Sequence, residues 1–166
     1  MTLGSLWHLF ARETKLWMAG GSVSVLAGVV LGLLAVPAFL AAGTPELGLQ
    51  LPSLVLSLGG GYAVVFPGLR VARTKVSIYR GWRQHPGSAK ALWILSYAVG
   101  IIGLVTCILA GGISPSLPGL LVWVFMGPYL ALSGWASALL GMAANVRLMT
   151  GIVDARDPTP ARGPAQ

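Results

Sequence analysis

The sequence predicts an all-α integral membrane protein: a four-helix bundle of two hairpins, preceded by a candidate short interfacial amphipathic helix. Three observations carry this. The chain of 166 residues is 55% hydrophobic and only 9% charged, with a mean hydropathy of +0.80. A soluble domain usually carries about 25% charged residues, and a soluble chain this apolar could not cover its own surface. Four long stretches hold no Asp, Glu, Lys, Arg or His, at residues 16–42, 51–69, 91–112 and 117–146. Each is close to or above the roughly 20 apolar residues that cross a bilayer. Finally, the cations all fall in alternate gaps between those stretches.

Residues 1–15 form an N-terminal cytoplasmic or interfacial segment. Leu3, Leu6, Trp7, Phe10 and Trp17 follow the spacing of one helical face, with His8, Arg12 and Lys15 off it. Such a stretch either lies in the interface or flanks the first span. Signal-peptide cleavage is not expected, because the apolar run from Leu16 to Ala42 far exceeds the roughly 7–15 residues of an h-region.

The transmembrane domain covers residues 16–146. In the first span Gly20, Ser24, Gly28 and Gly32 recur every fourth residue, a strip on which another helix backbone can settle closely. Pro37 weakens its far end. Residues 43–50 read as a turn. The second span starts at Leu51, with Pro52 in its first turn. It carries the strip Ser53, Ser57 and Gly61. Its run Gly59-Gly60-Gly61 marks close packing, a kink or a broken helix beside a cavity. The third span has Gly103, Cys107 and Gly111 as its small strip. The fourth, after the turn at 113–117, has Ser133, Ser137, Gly141 and Asn145, with Pro128 inside. Residues 147–166 are polar and Pro-rich and read as a disordered cytoplasmic tail.

The loop at 70–90 is the only long polar run. It holds Arg70, Arg73, Lys75, Arg80, Arg83 and Lys90 and no acid. Arg12 and Lys15 precede the first span, and Arg147, Arg156 and Arg162 follow the fourth. These are all 11 Lys and Arg residues, and an even number of spans puts every one on the same side. The positive-inside rule then makes that side, and both termini, cytoplasmic. Arg outnumbers Lys, and Ala, Gly and Leu abound, which suits a bacterial cytoplasmic membrane. The basic loop serves as a topology signal and can also attract anionic lipid head groups, at about 1 kcal/mol per cation near the surface. The net charge of +7 therefore needs no nucleic acid. The hairpins open alike, with Leu16-Trp17 and Leu92-Trp93, and their second helices with Leu51-Pro52 and Leu117-Pro118, which raises a parallel repeat.

The chemistry these residues leave out narrows the function. Spans without ionisable groups lack the usual elements of proton relays and coupled transport. Serines in the spans have no histidine or lysine there to serve as base. The two histidines, His8 and His85, lie outside the spans, and the acids Glu13, Glu46, Asp154 and Asp157 are scattered. No catalytic residue, cofactor or metal is expected. A neutral polar cavity at Tyr62 and Tyr129 competes with simple interhelical hydrogen bonding of the same groups. The reading is a non-catalytic accessory or structural subunit that packs in a membrane complex or a homo-oligomer, with membrane lipids as its other partners. The alternative is a small oligomeric channel, neutral-solute transporter or holin-like pore. A third reading is an enzyme at the cytoplasmic face, built on His85 near Arg80 and Arg83.

Overall fold

A computed structural model of the chain describes residues 7–42, 47–72 and 87–156. Four long helices make up nearly all of them: α1 Arg12–Ala42, α2 Leu47–Ala72, α3 Gly87–Ile113 and α4 Leu117–Arg156. Each contains a segment long and apolar enough to cross a membrane, at Arg12–Ala42, Gly48–Pro67, Gly87–Ile113 and Leu117–Ala143. Glu13 sits in the first turn of α1, where a carboxylate suits the helix dipole. Between α3 and α4 the Ser114 N–H donates to the Ala110 carbonyl at 2.9 Å, and the Leu117 N–H to the Ser114 carbonyl at 3.2 Å. Pro118 follows in the first turn of α4, where its missing N–H is not needed.

Several boundaries differ from expectation: α1 begins at Arg12, α2 runs on to Ala72, and α3 begins at Gly87, inside the stretch that reads as the loop at 70–90. The helix α2 begins at Leu47 rather than Leu51, so Pro52 lies inside it. Its missing N–H then leaves the Gly48 carbonyl without its helical donor. The helix α4 runs on to Arg156, through residues that read as a disordered tail. From Asn145 to Arg156 there is no proline, and the first strong stop is Asp157-Pro158, since the residue before a proline avoids the helical region. At the N-terminal end, a turn separates Trp7 from α1, with the Phe10 N–H reaching the Trp7 carbonyl at 3.3 Å. Trp7, Phe10 and Trp17 therefore do not share one helical face. Phe10 is buried in a cluster with Met18, Val64, Ala138 and Leu139, and Trp7 stacks on Trp135 at 5.5 Å, while Trp17 stays exposed. Folding back buries two aromatics that a straight helix would have left outside.

The helices run up, down, up and down. Gly21 meets Gly60, Gly28 meets Ser57 and Gly32 meets Ser53, so α1 and α2 are antiparallel. Ser57 meets Gly127 and Val64 meets Gly134, so α2 and α4 are parallel. Accordingly the start of α1, the end of α2, the start of α3 and the end of α4 share one end of the bundle. The helix α4 touches α1, α2 and α3; α1 touches α2 and α4; α3 leans on α4 alone to any extent. The hairpins are thus not equivalently placed: α1 packs on α4, and α3 has no comparable contact with α2.

The interior is built of what side chains leave out. Along α1 the buried residues are Met18, Gly21, Val25, Gly28, Gly32, Ala35 and Phe39. Along α4 they include Leu117, Leu120, Val124, Gly127, Ala131, Gly134, Ala138 and Gly141. Both rows alternate steps of three and four, the heptad register of two helices crossing at a shallow angle. Large apolar residues point outward instead, among them Leu26, Leu33, Leu40, Val55, Ile101, Ile108 and Leu109. A water-soluble bundle does the reverse.

Candidate functional site

The residues that hold the helices together also shape the grooves on the surface. Gly28 faces Ser57, and a Cβ there would also lie 2.9 Å from the Ser53 carbonyl oxygen. The Ser53 hydroxyl donates to the Gly28 carbonyl at 2.7 Å across the same crossing. A Cβ on Gly60 would lie 2.5 Å from the Gly21 carbonyl oxygen, so backbone rests on backbone. On the other side of α2, a Cβ on Gly127 would lie 2.9 Å from the Ser57 Cβ, and one on Gly134 would lie 2.9 Å from the Val64 carbonyl. Gly61 faces Leu130 of α4. The triple glycine of α2 thus continues the helix unbroken and, at about 100° per residue, points three ways. Gly59 is open to the surface, Gly60 rests on α1 and Gly61 on α4.

The expected packing strips are therefore partly displaced. Gly28, Gly32, Ser53, Ser57 and Gly61 lie at helix crossings. Gly20 does not, for nothing lies within 4 Å of where its Cβ would be, and Gly21 takes its place. Ser24 flanks that crossing, its Cβ 2.8 Å from where a Gly60 Cβ would stand. The reason is angular: a step of four residues drifts by about 40° per repeat, whereas alternating steps of three and four stay on one seam. In α4, Ser137 and Gly141 are buried, but Ser133 is only half-buried and bonds its own helix at Leu130. Reading for small residues every fourth place missed Gly127 and Gly134. The heptad series Gly127, Ala131, Gly134, Ala138, Gly141 is the signal that finds them. In α3, Gly103 lies against Phe125 of α4, Gly111 is exposed near Pro118, and the Cys107 thiol sits 3.9 Å from the Pro118 carbonyl.

The two tyrosines expected to share a polar cavity lie in separate grooves. Tyr62 lines a cavity of about 490 Å³ between α1 and α2, with Glu13, Thr14, Trp17, Gly59, Ala63, Phe66 and Pro67. Its ring stacks on Phe66 at 5.8 Å. Tyr129 lines a smaller, almost wholly apolar groove of about 270 Å³ between α3 and α4, with Gly100, Gly103, Leu104, Cys107, Val122, Phe125 and Met126. There the Tyr129 backbone carbonyl accepts a hydrogen bond from Ser96 at 3.1 Å. The residue numbers of Tyr62 and Tyr129 gave no hint that two different helix pairs present them.

A third polar feature lies at the shared end of the bundle. The Trp135 indole N–H donates to the Ser22 hydroxyl at 3.0 Å, and Ser22 donates to the Met18 carbonyl at 2.7 Å. Lys15 lies 5.8 Å above the Trp7 ring and reaches the His8 carbonyl at 3.5 Å. Of the basic loop, Arg70 falls on α2 and Lys90 on α3, whereas Arg73, Lys75, Arg80, Arg83 and His85 lie outside the described residues. Among the described residues no three His, Cys, Asp or Glu side chains gather to hold a metal. Comparison with protein families, with curated proteins and with solved structures finds no match.

Proposed function

We propose that the chain is a non-catalytic multi-pass membrane protein with both termini on the cytoplasmic side, working as an accessory subunit that packs against another membrane helix. The embedding is supported by the outward-facing leucines, isoleucines and valines of α1, α2 and α3, while glycine, alanine and serine fill most of the helix crossings. Lipid chains solvate such a surface as well as a protein core would. The sidedness is supported by the 11 cations.

The observation that carries the subunit reading is the bareness of α3. Only Ala89, Ser96, Gly103 and Ala110 are buried along it, one residue in each heptad. In its apolar window 11% of the residues are buried, against 39% for α4. A helix held along so thin a seam has most of its circumference free for a partner, from a larger complex or a second copy. The pore reading finds less support, because glycine crossings close the bundle along its length at Gly21–Gly60, Gly28–Ser57 and Gly134–Val64. Any lumen would have to form between chains.

The test uses the single native cysteine. In a Cys107→Ala background, new cysteines at Ile101 and Ile108 are oxidised in native membranes, with Val30→Cys on α1 as comparison. Discrete cross-linked species from the α3 positions are expected, and persistent monomer at both would overturn the reading. Sidedness is checked with an impermeant thiol reagent. Ser114→Cys should react from outside the cell, and Lys90→Cys only after permeabilisation.

A further inference from the structure

The cavity between α1 and α2 has the makings of a ligand site. Gly59 leaves its floor without a side chain and Gly20 does the same for the groove beside it, since nothing lies within 4 Å of either missing Cβ. An adjoining open groove of about 550 Å³ continues it along α1 as far as Ser24, and the two share Trp17, Gly59 and Ala63. Together they form one channel-shaped depression, running from an acid at its mouth into the apolar span. A volume of about 490 Å³ for the mouth alone falls within the roughly 300–1,000 Å³ of small-molecule sites.

Several of its polar groups have no partner among the described residues. Glu13 makes no ion pair or hydrogen bond among the described residues, and neither do the Thr14 and Tyr62 hydroxyls. Pro67 has no N–H to give the Ala63 carbonyl, so that acceptor lacks its usual helical partner beside the same cavity. Lys15, which could have neutralised Glu13, is turned to the Trp7 ring and the His8 carbonyl. Among the described residues, then, a carboxylate without an ion pair and a carbonyl without its helical donor, walled by Trp17, Tyr62 and Phe66, suit an ammonium group with an apolar tail.

We infer that this groove binds a phospholipid with a primary-amine head group, its ammonium at Glu13 and one acyl chain lying over Gly59 and Gly20. The inference rests on the membrane reading above. A lipid is the occupant because the groove descends from the polar end into the charge-free span and opens sideways. The preference runs against the charge of the chain as a whole, whose basic segment draws anionic head groups to the same side. It therefore cannot be an average property of the surface.

The test reads Trp17, which lines both parts of the groove. The protein is reconstituted in vesicles carrying bromine-labelled phosphatidylethanolamine or bromine-labelled phosphatidylglycerol. The Trp17 signal is the difference between the native chain and Trp17→Phe. Half-quenching is expected at an amine-lipid fraction about two- to fivefold lower than for the glycerol lipid, the size of effect an exposed ion pair gives. Glu13→Gln should bring that ratio to about one, and Gly59→Leu, which fills the floor, should remove the excess quenching by both lipids. Equal quenching by both lipids in the native chain would overturn the site and leave only ordinary surrounding lipid. So would a preference that survives Glu13→Gln. Failure of either lipid to quench any tryptophan would instead sink the membrane reading, and this site with it.

Discussion

The helices α2 and α3 are both apolar, both interrupted by several glycines and similar in length, yet they are held in opposite ways. The helix α2 is pressed from two sides, with Ser53, Ser57 and Gly60 on α1 and Gly61 and Val64 on α4. The helix α3 is buried at one position in seven and lies against a single neighbour. Hydrophobicity does not separate them, since the apolar window of α3 is the more hydrophobic of the two, 2.3 against 1.5 in mean hydropathy. What separates them is where side chains are missing. In a lipid-like solvent leucine gains nothing by turning inward, so helices approach where their surfaces are flattest.

Substitutions can break this contrast. Gly60→Ala should do the most damage, because its Cβ would stand 2.5 Å from a backbone oxygen of α1 while α4 blocks retreat on the other side. A loss of about 3 kcal/mol is expected, at the upper end for overpacking, read by denaturing-detergent titration in mild micelles. Gly134→Ala, aimed at the Val64 and Val65 backbone, should follow closely. Gly103→Ala makes a contact just as short on paper, 2.6 Å to the Phe125 Cβ. With no second neighbour, α3 can tilt away, and about 1 kcal/mol is expected, at the low end of the overpacking range. A cost for Gly103→Ala as large as for Gly60→Ala would mean that α3 is clamped after all.

Smaller effects sharpen the comparison. Ser96→Ala removes the one hydrogen bond seen from α3 to the Tyr129 carbonyl. A loss of about 0.6 kcal/mol is expected, typical of interhelical hydrogen bonds in membranes. Gly20→Ala should cost nothing and can stabilise by about 0.5 kcal/mol through helix propensity. A marked loss there would put the seam back on the every-fourth-residue strip.

The sequence made the helices and their order legible, because long charge-free runs and one-sided cations survive any choice of partner. It did not reveal which face of each helix turns inward. In helices apolar all round there is no polar face to mark the outside, so the remaining signal is residue size, and its period must be chosen correctly. A period of four led to Gly20 and passed over Gly21, Gly127 and Gly134. Tyr62 and Tyr129 looked like partners because both are polar within spans. Only the positions of α2 and α4 around α1 and α3 assign them to different grooves. The groove at Glu13 was illegible for a related reason: it is made by glycines that touch nothing.

The glycine crossing of Val64 with Gly134 also bears on how the chain assembles. It joins segments far apart in the sequence, and the whole of α3 is synthesised between them. After the first hairpin closes at Gly21 and Gly60, the second face of α2 stands uncovered while α3 arrives, and α3 is not what covers it. The final architecture waits for the last helix, which must reach past its own hairpin partner to dock. Chain order and neighbour order part company at this step, and here the slow, long-range stage of assembly is to be sought.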